Sequence, residues 1–194
     1  MQFFKRKVSL AQVCGILSAF TLIAFHKPFF KCVYDNIAFD FNGVLIYVGL
    51  IVLMLAMNYF FYYLVAWLGR IVGKCILAFL FIANAICLYF INTYQVLVTD
   101  KMMGNVYNTH YSEASGFFSW EAIAYVALLG VIPCIYIFKS KIDYGKFKRF
   151  LTHVGVSLGI GLAVALINMP NWPWIDRNAT QLGSLLMPWS YTIN

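Results

Sequence analysis

Five unbroken apolar runs, each long enough to cross a lipid bilayer, limit what this chain can fold into more than any other feature. They fall at roughly Val8–Phe25, Val44–Leu68, Ile71–Tyr94, Trp120–Phe138 and Phe150–Ile167. Runs of about 18 or more residues with few charges read as transmembrane helices. Composition agrees, because 62% of the 194 residues are hydrophobic and 11% are charged, whereas soluble domains carry about a quarter charged residues. The fold class expected is all-α. It is a polytopic membrane protein with a five-helix transmembrane bundle over residues 1–167, plus an interfacial helix in the loop at about 101–114. Gly69 and Arg70 alone part the second run from the third, so these two form a tight helical hairpin. Lys74, one turn into the third run, can snorkel its ammonium back to the interface.

The net charge of +7 raises nucleic acid as a partner, and the distribution of that charge argues against it. With the amino terminus cytoplasmic, Lys5, Arg6, Lys7, Arg70, Lys74, Lys139, Lys141, Lys146, Lys148 and Arg149 all lie on the inner side. The outer side holds Lys27, Lys31, Lys101 and Arg177. This is the positive-inside pattern, and it orients a multi-pass protein with its carboxyl terminus on the far, periplasmic side. The acidic residues fall the other way, with Asp143 alone inside. The basic character therefore reports orientation and contact with anionic membrane lipids. No nucleic-acid partner is expected.

The basic start Phe3–Lys7 precedes an apolar run with no small-x-small cleavage pattern, so the first run reads as an uncleaved helix. The five cysteines give neither a disulfide framework nor a metal site. The first outer loop, His26–Gly43, reads as an irregular interfacial connection with its aromatic residues at headgroup depth. After the fifth run, Asn168-Met-Pro-Asn-Trp-Pro-Trp174 carries two prolines that stop the helix and two tryptophans that mark the outer interface. Residues 168–194 are expected to form a periplasmic interfacial linker toward an aqueous domain absent from this chain. Within the runs, Asn58 and Asn84 are expected to hydrogen-bond to neighbouring helices, and Gly155-x-x-x-Gly159 to pack inside the bundle.

Residues able to recognise a polar ligand are scarce in such a chain, and one stretch gathers several of them. Between the third and fourth runs lies Asp100-Lys-Met-Met-Gly-Asn-Val-Tyr-Asn-Thr-His-Tyr-Ser-Glu113. Built as a helix at 100° per residue, Met102, Val106 and His110 form an apolar flank, and Lys101, Asn108 and Ser112 form the opposite polar face. Asn105, Thr109 and Glu113 make a stripe at the seam between them. An amphipathic helix of this kind lies in the interface, which puts the seam at headgroup depth. There Glu113 can accept from an ammonium, while Asn105 and Thr109 can hydrogen-bond phosphate or glycerol oxygens. The residues alone leave a second reading open, in which these are solvated loop positions. Thr109 has no adjacent base or metal site that would make it a nucleophile.

The pattern Asn105-Val-x-x-Thr109-x-x-x-Glu113, set directly before a run opening near Trp120, resembles the periplasmic loop of the lipid-modifying phosphoethanolamine transferases. These enzymes decorate lipid A or the lipopolysaccharide core, and acquired members confer polymyxin resistance. Thr99-Asp100-Lys-Met-Met103 upstream, the five runs and the closing Leu186-Met-Pro-Trp-Ser-Tyr-Thr-Ile-Asn194 are similar too. The resemblance covers the amino-terminal membrane half of that family. It implies that Asn105, Thr109 and Glu113 bind the headgroup of a donor lipid, phosphatidylethanolamine, in a bacterial cell inner membrane. It also implies that a zinc-activated threonine in a separate periplasmic domain carries the chemistry, passing phosphoethanolamine to lipid A or another glycan acceptor. His26, His110 and His153 are too scattered to supply that zinc cluster. No catalytic residue, cofactor or metal ligand is therefore expected in this chain, which alone should hold lipid without turnover. Two other classes compete: a small secondary transporter, which usually carries intramembrane charges and inverted repeats, and a noncatalytic membrane subunit.

Overall fold

The structure, a computed structural model, describes residues 7–94 and 119–185. In chain order they form β1 (Val8–Ser9), α1 (Leu10–Phe25), α2 (Lys27–Asn36), α3 (Phe41–Trp67), α4 (Val72–Tyr94) and α5 (Trp120–Tyr125). A π-helical turn (Val126–Val131) joins α5 to α6 (Ile132–Lys139), and then come β2 (Ile142–Asp143), α7 (Phe147–Ile167), a 3-10 turn (Met169–Asn171) and α8 (Trp172–Ser184). Four helical rods are long and apolar enough to cross a membrane: Phe41–Trp67, Val72–Thr93, Trp120–Lys139 and Phe147–Ile167. The first run differs from the other four. Its helix α1 has 16 residues and bends by 60° into α2. The architecture is an all-α, polytopic membrane bundle.

Local chemistry starts and stops these helices where the sequence requires. Ser9 Oγ accepts from Gln12 N–H at 3.2 Å while the Gln12 side chain accepts from Ser9 N–H at 3.1 Å, a reciprocal cap on α1. Such caps satisfy the orphan donors of a first turn. Asp40 does the same for α3, accepting from Gly43 N–H at 2.7 Å. At the break between α1 and α2, the buried His26 ring joins the Thr21 carbonyl through Nδ1 at 3.0 Å. The ring thereby adds a side-chain contact to the last turn of α1, where the helix gives way to α2.

The core lies between α1, α3, α4 and α6. Leu10, Leu17, Tyr62, Tyr63, Phe81 and Ile137 are all at most 2% exposed. Tyr62 and Phe81 rings meet at 5.6 Å, and Phe25 packs on Phe81 at 6.1 Å. The α3–α4 hairpin is as tight as Gly69 and Arg70 predict. A Cβ on Gly73 would fall 2.5 Å from the Val65 carbonyl and 2.9 Å from that of Ala66. Lys74 does not reach the interface by snorkelling alone. Its ammonium donates to the Ser140 carbonyl at 3.0 Å, where the partial negative charge at the end of α6 favours a cation.

Other expectations change. Asn58 is fully buried, yet neither side-chain polar atom has a hydrogen-bond partner among the described residues, and the same is true of Asn84 Oδ1. One turn along α3, Tyr62 takes the partner that α1 offers, with Tyr62 Oη and Thr21 Oγ1 at 2.8 Å. Gly155 and Gly159 do not pack inside the bundle, because a Cβ on either meets nothing within 4 Å. Their helix α7 contacts chiefly α3 and leaves much of its surface open, with Leu162 63% and Leu166 61% exposed. The π-helical turn was not legible either. Ile132 N–H reaches back five residues to the Ala127 carbonyl. Pro133, which lacks an N–H, follows at the start of α6. The wider turn seats Gly130 against α4, where its Cβ position is 3.2 Å from Ile82 Cα.

At the basic end of the bundle, β1 and β2 pair in parallel with Val8 opposite Ile142 and Ser9 opposite Asp143. This short ladder ties the start of α1 to the loop before α7.

Candidate functional site

The helices alternate in direction, so α2, the start of α3, the end of α4, the start of α5, the end of α7 and α8 gather at one end. The basic cluster of Arg70 and Lys139–Arg149 lies at the other. Two short amphipathic helices cover the first end. Proline in its first turn opens α2, where a missing N–H costs nothing. Phe29 and Val33, one turn apart, are buried while Lys31 and Asp35 are exposed. This segment is therefore a helix and not the irregular connection its aromatics imply. The spacing of Phe29 and Val33 behind Pro28 was the signal that marks it.

Beyond α7, Pro170 sits in the 3-10 turn and Pro173 in the first turn of α8. The two prolines thus begin new turns as well as ending the old helix. Asn168 Nδ2 donates to the Val164 carbonyl at 3.1 Å, and its amide fills the space that Gly49 leaves on α3, where a Cβ would collide with it. Trp174 Nε1–H donates to the Asn36 carbonyl at 2.9 Å and so joins α8 to α2. Beneath this joint, Phe29, Val33, Ile46, Leu50, Met54 and Leu182 form a second buried apolar cluster. The two helices are held as one layer across the end of the bundle.

The described chain stops at Tyr94 and resumes at Ser119 at this same end. Ser119 Oγ accepts from Ala122 N–H at 3.1 Å, capping α5, and lies 2.8 Å from Tyr89 Oη. Asn92 Nδ2 donates to Tyr125 Oη at 3.1 Å. These contacts fix the two stems of segment 95–118 against each other. Asn105, Thr109 and Glu113, with the helix expected at 101–114, lie outside the described residues. The exposed polar groups on the described helices of this end carry both signs: Lys27, Lys31 and Asp35 on α2, Glu121 on α5, and Asp176 and Arg177 on α8. Arg177 Nε donates to the Pro173 carbonyl at 3.0 Å on its own helix. Trp120, at the mouth of the returning stem, is 86% exposed, as an interfacial tryptophan is. Such a surface can hold a zwitterion, with cations for a phosphate and carboxylates for an ammonium. Among the described residues no three of His, Cys, Asp and Glu converge as metal ligands.

The family model described as phosphoethanolamine transferase EptA/EptB matches residues 53–194. The phosphoethanolamine transferase EptA of Helicobacter pylori is 27% identical over 191 residues, covering 98% of this chain and 36% of the relative. The phosphatidylethanolamine transferase Mcr-2 of Escherichia coli is 21% identical over 171 residues, covering 85% of this chain and 30% of the relative. In fold, the integral membrane protein lipooligosaccharide phosphoethanolamine transferase A (EptA) from Neisseria meningitidis superposes with a TM-score of 0.85. That likeness is at 18% identity and covers 96% of this chain but 35% of the solved one. The chain thus spans about a third of the length of the proteins it matches. With the family model covering most of its length and the whole bundle superposing, the chain belongs to the EptA/EptB phosphoethanolamine transferase family.

Proposed function

We propose that this chain is the membrane part of a phosphoethanolamine transferase, and that it binds phosphatidylethanolamine as the donor for transfer to lipid A or another glycan acceptor. The match of the family model over residues 53–194, a span that includes the Asn105-Thr109-Glu113 stripe, carries this reading. The names of the relatives support the donor and the transferred group. The joined stems support the place, since the described chain leaves at Tyr94 and resumes at Ser119 on the side of the bundle where α2 and α8 lie. In this reading Glu113 accepts from the donor's ammonium while Asn105 and Thr109 hydrogen-bond its phosphate or glycerol oxygens. Zinc and the attacking threonine belong to a further domain, and this chain alone holds lipid without turnover. The end bearing the stripe faces the periplasm, and the basic end faces the cytoplasm.

Replacing Glu113 or Asn105 with alanine in the full-length protein tests the site. Phosphoethanolamine on lipid A should fall by about tenfold or more, the effect of losing a charge-assisted contact, while protein abundance in the membrane stays unchanged. Undiminished lipid A modification in both variants would overturn the assignment.

A further inference from the structure

Two hollows lie end to end along one face of α7, away from the end that carries the candidate donor site. The first, of about 450 Å³, is lined by Gly145, Lys146, Lys148, Arg149 and Thr152. The second, of about 430 Å³, is a groove between α1, α3 and α7, walled in part by Gly15, Leu55, Ala56, Tyr59, His153 and Ile160. Residues three and four apart share a helix face, so Arg149, Thr152, His153, Val156 and Ile160 form one continuous stripe. The chemistry changes along it in a fixed order. Three cations come first, and the first turn of α7 holds no acidic side chain. The neighbouring carboxylate, Asp143, accepts from Gly145 N–H at 3.1 Å. A polar collar follows, in which Tyr59 Oη and His153 Nδ1 stand 3.0 Å apart. Beyond it the walls are almost wholly apolar.

The dimensions match one leaflet. At 1.5 Å per residue, the rise from Arg149 to Ile160 is about 16 Å, close to half of a hydrocarbon core about 30 Å thick. A basic hollow followed on the same helix face by an apolar groove, the two together spanning the depth of a leaflet, fits a lipid. Charge selects the kind. A zwitterionic headgroup would bring its own ammonium among Lys146, Lys148 and Arg149, whereas an anionic one brings net negative charge. We propose that this stripe binds one anionic phospholipid from the leaflet at the basic end. Lys146, Lys148 and Arg149 hold its headgroup phosphate, and the groove beside Gly15 holds an acyl chain.

Native mass spectrometry of the full-length protein, released from nanodiscs with equal amounts of phosphatidylglycerol and phosphatidylcholine of matched chains, tests this. Retained lipid should be mostly phosphatidylglycerol. Exchanging Lys146 and Arg149 for glutamate should lower that retention by about fivefold or more, as expected from removing and reversing two membrane-facing charges. Gly15→Leu blocks the groove from the side. A Cβ there meets nothing within 4 Å, so the bundle tolerates the new side chain and only the acyl chain is displaced. Gly155→Leu, equally unhindered but outside the groove, should leave retention unchanged. Equal retention of the two lipids would overturn the headgroup assignment. Charge reversal that lowers retention while Gly15→Leu does not would replace the site with diffuse surface attraction, and indifference to both changes would end the proposal.

Discussion

Tyr62 and Tyr63 are neighbours on α3, and both are buried to within 1% of full enclosure, but their hydroxyls meet different fates. Tyr62 Oη lies 2.8 Å from Thr21 Oγ1, whereas Tyr63 Oη has no hydrogen-bond partner among the described residues. Removing one partner of a buried hydrogen bond leaves the other desolvated and unsatisfied, at a cost of about 1–3 kcal/mol. Tyr62→Phe should therefore destabilise the protein by about that amount. Tyr63→Phe removes an orphan polar group and should be neutral or stabilising, within about 0.5 kcal/mol of zero if it costs anything. Thermal unfolding of the two variants in the same detergent measures the contrast, and equal losses would show that Tyr63 is satisfied in solution. Nothing in the sequence separates the two tyrosines, because which one meets Thr21 depends on how α1 crosses α3. Asn58 teaches the same lesson. Its place within an apolar run was plain, but whether a partner faces it is a tertiary fact. Asn105, Thr109 and Glu113 lie outside the described residues, so their four-residue spacing stands as a sequence pattern alone.

Helices of more than about twenty residues were easy to read because an apolar run of that length admits few alternatives. The short ones were not. In α2 and α8 polar and aromatic residues alternate, and both signs of charge intrude, so no long apolar stretch announces them. Their proline-led first turns and one-turn apolar spacing are weaker signals, and burial against α3 is what makes the helices persist. The π-helical turn before Pro133 left no periodic trace because one extra residue shifts the helical phase without changing composition. Glycines divide in the same manner. Gly73 lies where α4 crosses the backbone of α3, and the atoms its Cβ would meet, the carbonyls of Val65 and Ala66, belong to backbone that cannot turn aside. Gly73→Ala should force the hairpin apart and lower stability by about 1–3 kcal/mol, the range for overpacking. Gly155→Ala, in open space on α7, should gain helix propensity of up to about 1 kcal/mol instead. Opposite shifts in unfolding temperature would separate close packing from mere small size, and equal shifts would show that α3 and α4 can yield.

The two ends of the molecule differ in both charge and construction. One end holds Arg70, Lys139, Lys141, Lys146, Lys148 and Arg149 around the β1–β2 ladder. The other is covered by the joined helices α2 and α8, and both stems of segment 95–118 rise there. Cytoplasmic loops carry the excess of lysine and arginine, so the basic end should face the cytoplasm, with the layer of α2 and α8 outside the inner membrane. That orientation is what a donor site drawing lipid from the outer leaflet requires. It can be read directly in a full-length background with the five native cysteines replaced by alanine. Single cysteines at Lys31 and Arg177, both exposed on the covering layer, should react with a membrane-impermeant maleimide added to spheroplasts. A cysteine at Lys148, exposed at the basic end, should react only after the membrane is permeabilised. The reverse pattern would turn the bundle over. The layer of α2 and α8 would then face the cytoplasm, and the donor site proposed above would have to draw on lipid of the other leaflet.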